Sequence, residues 1–327
     1  MVHLCIQRGL STSIVNVVKT TTTRISLCVL CFFTFLPSTN ASFDPSATGA
    51  RAAGMGEAYT AVANDILALY YNPAGLVQIK RPELLASYSQ LHVGLKDNSQ
   101  IGRSILSYAH PIPKYGSIGV GYFNLQLSNL YSEDVTVLGY ATAMKFYTNA
   151  GINLKILHKK IGSDIYTQNA INPETGMVLG RADPIFNEGH SKTNFAIDLG
   201  GQYRFLPKWA IGICGRNINS PDVAVGSASD KVLPTLAIGV AKKSKNTTLS
   251  CDVDNYRSSQ QNYRLHLGAE KWFETGFAIR LGGAVGSRNY QLLTSGGSFR
   301  TMGMQFDYAL QYPLAGIEKT YGTHLSR

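Results

Sequence analysis

The chain has 327 residues, 44% of them apolar and 15% charged, with a formal net charge of +10 at pH 7. Soluble domains usually carry about 25% charged residues, and here the apolar residues are scattered, with no run of about 18 that could cross a bilayer as a helix. Without a basic cluster the positive excess is not read as nucleic-acid binding, and outer-membrane lipid, above all lipopolysaccharide phosphates, is the partner expected for it.

Residues 1–41 contain no acidic residue and carry Arg8, Lys19 and Arg24. An apolar stretch from Ile25 to Leu36 follows, then Pro37 and the small-residue exit Thr39-Asn40-Ala41. This is the charged region, apolar core and cleavage site of a secretory signal peptide, too short for an anchor. Cleavage is expected after Ala41, and the unusual length before Lys19 places the expected true start downstream of Met1. Losing the three basic residues takes the net charge from +10 to +7. Cys5, Cys28 and Cys31 leave with the leader, so Cys214 and Cys251 remain. The periplasm permits one disulfide between them, but they fall on different strands, and small apolar packing is the plainer expectation.

Residues 42–82 form a plug segment rich in small residues. It runs Gly49-Ala50-Arg51-Ala52-Ala53-Gly54-Met55-Gly56 and ends in Tyr70-Tyr71-Asn72-Pro73-Ala74-Gly75-Leu76. Small residues at this density allow close backbone approach, and Asn72-Pro73 with Gly75 is turn chemistry that stops a helix. A compact, partly helical piece packed in a confined space is expected. Gly54-Met55-Gly56 lacks the third glycine and the preceding apolar strand of a dinucleotide fingerprint, so no nucleotide cofactor is expected.

From Glu83 to the end of the chain the sequence falls into segments of about ten residues with period-two alternation, the pattern of transmembrane barrel strands. In the clearest, Phe195, Ile197, Leu199, Tyr203 and Phe205 share one face, and Asn194, Ala196, Asp198, Gln202 and Arg204 the other. Leu265 and Leu267 alternate in the same way with Arg264, His266 and Glu270, as Phe306 and Tyr308 do with Asp307. Alternation alone does not separate a membrane barrel from a soluble sandwich. Connection lengths do: tight ones at 111–115, 143–144, 206–207, 243–246 and 274–275 alternate with longer ones, above all 160–192 and 218–232. The fold class expected is all-β, a transmembrane antiparallel barrel of about fourteen strands over residues 83–327. The segmentation is weakest at 287–288 and at 295–300, where a connection is expected between strands 289–294 and 301–312.

The run from Gly49 to Leu76 resembles the N-terminal signature of the PorV/PorQ-type outer-membrane proteins, relatives of the FadL long-chain fatty-acid transporters. The resemblance implies a bacterial outer-membrane location, a fourteen-stranded barrel, and a plug whose turn holds Asn72, Pro73 and Ala74, with Gly54, Met55, Gly56 and Gly75 in the same motif. It also implies passive uptake of hydrophobic small molecules or, in the PorV manner, reception of exported cargo by secretion-system proteins. One departure stands out. The chain stops at Thr323-His324-Leu325-Ser326-Arg327, so the closing strand is expected to be largely missing, leaving unpaired edges.

Little points to catalysis. His92, His110, His158, His190, His266 and His324 share no metal-ligand spacing, so no metal is expected. Ser250 and His266 are the pair that a barrel hydrolase would need, but nothing in their spacing singles them out, and the chain is read as no enzyme. Asp252 and Asp254 lie opposite Arg264, His266 and Glu270, which fits cross-strand pairing on a lumen wall or a polar channel lining.

Overall fold

The computed structural model describes residues 43, 48–95, 100–162, 169–172, 174–182, 189–226, 229–255, 263–287, 289–315 and 321–327; the leader and its cleavage site lie outside them. Helices α1 (Ala50–Gly54) and α2 (Ala68–Tyr71) and a 3-10 helix (Pro73–Gln78) come first. The strands then follow: β1 (Glu83–Leu91), β2 (Ile101–Ile112), β3 (Gly116–Leu127), β4 (Tyr131–Ala143), β5 (Thr148–Ile161), β6 (Asn169–Ile171), β7 (Val178–Ala182) and β8 (Ser191–Leu206). The second half holds β9 (Trp209–Arg216), β10 (Thr235–Lys243), β11 (Thr247–Asn255), β12 (Tyr263–Trp272), β13 (Phe277–Gly286), β14 (Tyr290–Thr301), β15 (Met304–Pro313) and β16 (Thr323–Ser326). Fourteen of these close into one antiparallel barrel in chain order. Inside the long connection after β5, strands β6 and β7 pair only with each other, so β5 meets β8 directly.

The distribution of side chains decides between sandwich and membrane barrel. On β8, Phe195 and Leu199 are exposed while Ala196 and Asp198 are buried; on β12, Leu267 is exposed while His266 and Glu270 are buried. The same inversion holds on β15, where Phe306 and Tyr308 face out and Asp307 faces in. In water the apolar face would be driven inward at about 25 cal/mol per Å². An apolar exterior around a charged interior is the arrangement for lipid outside and a polar lumen within. Tyr115, Tyr140, Phe146, Tyr147 and Phe273, all exposed, gather at the end of the tight turns.

The connections at that end are short throughout: 113–115, 144–147, 207–208, 244–246, 273–276 and 302–303. The last corrects the sequence reading. Residues 295–300 are wall, not connection, and the turn is Met302-Gly303, with Gly303 at φ 81°. Within the loop-like run Ser295-Gly296-Gly297-Ser298, Gly296 lacks a side chain where the plug meets the wall: a Cβ on it would stand 3.3 Å from the Gly54 Cα.

The closing strand is short, as expected, and the barrel nevertheless closes. Short as it is, β16 pairs with β1 through Tyr88, Ser89 and Gln90 and with β15 through Tyr308 to Gln311. Buried Leu325 packs with Ala50, Ala53 and Ala309, so closure is tied to the plug as well as to the neighbouring strands. Cys214 is buried and Cys251 half-buried, and both are free thiols on strands that β10 separates.

Candidate functional site

The plug fills the lumen and is seated at two places where the wall carries glycine. At the first, Gly56 adopts φ 63° and lies so close to β13 that a Cβ on it would stand 2.6 Å from the Gly283 nitrogen. The Gly56 amide donates to Thr294 Oγ1 at 3.0 Å, and that hydroxyl donates to the Gly54 carbonyl at 3.2 Å. Met55, between them, is fully buried. At the second seat, Asn72 Nδ2 donates to the carbonyls of Thr60 (2.9 Å) and Gly201 (3.1 Å), while its Oδ1 accepts from the Ala74 amide at 3.2 Å. This Asn72 cap starts the 3-10 helix with Pro73 at its first position. A Cβ on Gly151 would stand 2.4 Å from the Ala74 nitrogen, and one on Gly75 2.3 Å from the Ala63 oxygen. The motif residues are therefore brought together as two seats rather than as one pocket.

An ion network fastens the first seat. Arg51 donates to both carboxylate oxygens of Glu270, at 2.8 and 2.7 Å, and to Asp65 at 3.2 Å. Arg280 joins Glu270 (2.8 Å) to Asp307 (3.3 Å), and Arg327 bridges Asp65 and Asp307 at 3.2 and 3.4 Å. Burial by itself would raise the Asp65 carboxyl, but the guanidinium groups of Arg51 and Arg327 outweigh it and hold the group below the usual carboxylate value. Burial likewise opposes the charge on Arg51, and Tyr59, Glu270 and Asp65 around it keep it protonated. A buried bidentate arginine–carboxylate pair fixes orientation as well as position.

The remaining lumen residues divide differently from the cross-strand expectation. Asp254 stands opposite Arg264 and Asp252 opposite His266. Yet His266 Nε2 lies 3.4 Å from Asp254, its Nδ1 donates to the Gly56 carbonyl at 2.7 Å, and Asp252 accepts from the Thr60 amide at 2.6 Å. Both thus hold plug backbone, as Glu270 holds Arg51. Ser250 Oγ donates to the Gly268 carbonyl at 3.4 Å, so the serine and histidine have separate partners. Asp198 pairs with Lys155 at 2.6 Å. Arg204 stands apart, exposed at the turn end of β8.

On the loop side of the plug lies a cavity of about 70 Å³, which the sequence reading did not locate. Its floor is Leu69 and Tyr70 of the plug, and Phe123, Val135 and Leu157 form the wall. The Tyr70 and Phe123 rings are 5.4 Å apart. Val232, from the 217–234 connection, covers it. That connection is bound inward: Asn194 Nδ2 donates to the Asp222 carbonyl at 2.9 Å, and Lys159 pairs with Asp230 at 2.6 Å. Lys155, Asp198 and Arg216 supply a polar edge. Apolar walls with a few placed polar groups are the usual make-up of a small-molecule site. No run of apolar loop residues signals this one, because its wall comes from single lumen-facing positions on separate strands.

Neither family models nor curated proteins match the sequence. Solved structures do match. The CymD monoaromatic hydrocarbon channel superposes with a TM-score of 0.62 at 16% identity, over 87% of this chain and 96% of that one. The fold is that of the FadL-type channels. The Pseudomonas putida toluene transporter TodX gives a TM-score of 0.59 at 12% identity, over 88% and 97%. A Pseudomonas aeruginosa FadL homologue gives 0.51 at 11%, over 89% and 96%. At such identities the likeness speaks for the FadL-type fold, and the site must be read from this chain's own residues.

Proposed function

We propose that the protein is an outer-membrane channel for passive uptake of hydrophobic small molecules. The long connections face outward and the tight turns the periplasm. A solute enters under the loops, rests on Tyr70 and Leu69, and passes when the plug shifts, with no chemical step. The observation that carries this reading is the apolar, partly aromatic cavity over the plug, in a barrel whose lumen carries a buried ion network at the plug seat. The FadL-type fold supports it. A dry apolar cavity that accepts benzene has about 150 Å³, so at about 70 Å³ this one is too small for such a guest, and Val232 or Tyr70 must move to admit it. Under this reading Gly54, Met55, Gly56, Asn72, Pro73, Ala74 and Gly75 act by seating the plug. Reception of secreted cargo, the second implication of the PorV resemblance, has no separate observation in its favour.

The test is toluene entry into cells that carry the barrel, checked as folded by its compact migration on a gel before boiling. Entry should exceed that of cells without the barrel and fall back with Leu157→Trp, which fills the cavity. A folded barrel that leaves toluene entry unchanged overturns the reading, and co-purification of exported proteins with it would move the function to secretion.

A further inference from the structure

Charge is unevenly placed along the barrel axis. The turn-end connections carry exposed Lys80 and Arg81 ahead of β1, then Lys114, Lys145, Lys208 and Lys245, and among their described residues Glu274 is the one carboxylate. Glu83, at the first position of β1, is turned to the plug, where it accepts from the Ile66 amide at 3.1 Å. None of these connection cations has an ion pair with a described residue, whereas Arg51, Arg280 and Arg327 inside the barrel all do. In the described parts of the long connections at the other end, Glu174, Asp222 and Asp230 stand against Arg181 and Lys231, which is near balance.

The cations are spread around the greater part of the rim, from the start of β1 to the β10–β11 turn, and are not gathered on one side. Three precede an aromatic residue: Lys114 stands before Tyr115, Lys145 before Phe146 and Lys208 before Trp209. Two more lie on the wall itself. Alternation puts Lys242 on the face of exposed Ile238 and Lys271 on that of exposed Leu267, so both point outward. Their ammonium groups are 5.3 Å from the Trp209 ring and 5.5 Å from the Phe273 ring. Aromatic girdles of membrane barrels lie at the headgroup level. Phe146 and Tyr147 are held there at φ 59° and 58°, although two consecutive left-handed residues suit Asn-Gly far better.

We propose that the outer surface of the turn-end rim binds anionic phospholipid of the leaflet around it, the cations meeting headgroup phosphates while the neighbouring rings cover the start of the chains. A lysine close to a charged lipid surface strengthens association by roughly fivefold, and here several act on the same leaflet. Lys242 and Lys271 decide for lipid over a soluble acidic partner, because they stand on the lipid-facing wall, where a protein docking from below would not reach. The positive excess is thereby assigned to the leaflet opposite lipopolysaccharide. The inference is independent of what the barrel carries: a barrel that selects anionic lipid here but admits no toluene would sink the uptake reading and leave this one in place.

Trp209 is the reporter for the test. The chain has two tryptophans, Trp209 and Trp272, so Trp272→Phe in the full chain leaves emission from the rim alone. The barrel, checked by its compact gel migration, is folded into phosphatidylcholine vesicles that contain an equal fraction of either brominated phosphatidylcholine or brominated phosphatidylglycerol. Brominated phosphatidylglycerol should quench Trp209 more strongly. Lys208→Gln with Lys242→Gln, the cations beside that ring, should lower the preference for phosphatidylglycerol at least fivefold, the scale of one lysine removed from a charged surface. Lys160→Gln removes an exposed lysine from the loop end of β5 and should change nothing. If the double variant loses its compact migration, each single substitution is read in its place. Equal quenching by the two brominated lipids overturns the proposal and leaves the cations to an acidic soluble partner, and a preference that survives the double substitution, or falls equally with Lys160→Gln, overturns it as well.

Discussion

A buried guanidinium is costly where no carboxylate meets it, and Arg51 meets two, Glu270 on the wall and Asp65 within the plug. Arg51→Met keeps the volume and removes the charge, leaving Glu270 to Arg280 and Asp65 to Arg327. Breaking a buried pair from one side costs about 3–5 kcal/mol, so amide hydrogen exchange over residues 50–72 should accelerate while that of the wall strands does not. Acid probes the same contact. Because the folded-state value of Asp65 is depressed, its contribution is complete above the ordinary aspartate value of about 3.9 and is lost as pH falls through the lowered one. The protection factors of the plug amides, which correct for the intrinsic pH dependence of exchange, should be level from pH 7 to about 4 and fall below that. A fall already at pH 6 would place the control of the plug elsewhere.

At the scale of elements, the plug and the closing strand depend on each other. Leu325, fully buried on β16, packs on Ala50 and Ala53 of α1 and on Ala309 of β15. Leu325→Ala is expected to cost about 2–5 kcal/mol through lost burial and the cavity it leaves, lowering the temperature at which the compact gel species disappears. An unchanged transition temperature would mean that the four-residue strand contributes nothing to closure. The β14 boundary carries the complementary lesson. Gly296 looked like loop because local composition records a lack of side chain without recording why; here the reason is Gly54 lying against the wall.

For the whole molecule, the inverted distribution of polarity sets what a surface substitution does. Leu267, in the middle of β12, is exposed, and in a soluble protein Leu267→Arg would lie within about 0.5 kcal/mol of neutral. On the lipid face of a barrel the same change costs about 2–4 kcal/mol near the midplane. Denaturant titration of barrels folded into vesicles should find the larger figure, and the smaller would contradict the placement of this face in lipid.

Architecture was open to reading from the chain alone because it depends on local patterns. Alternation assigns each residue of β8, β12 and β15 to a face, tight turns separate the strands, and small residues before Glu83 announce a piece packed in a narrow space. Asp252, His266 and Glu270 could be placed on the lumen face in the same way, since period-two alternation needs no knowledge of what lies across the lumen. Their partners could not be read. Glu270 binds Arg51 across 219 positions of sequence, and His266 binds Gly56 across 210. The loop-side cavity is likewise made by Tyr70, Phe123, Val135, Leu157 and Val232, single side chains whose spacing in sequence has no period. Only closure of the barrel around its plug sets them side by side, because curvature and strand order, and not local preference, fix which lumen residues face one another.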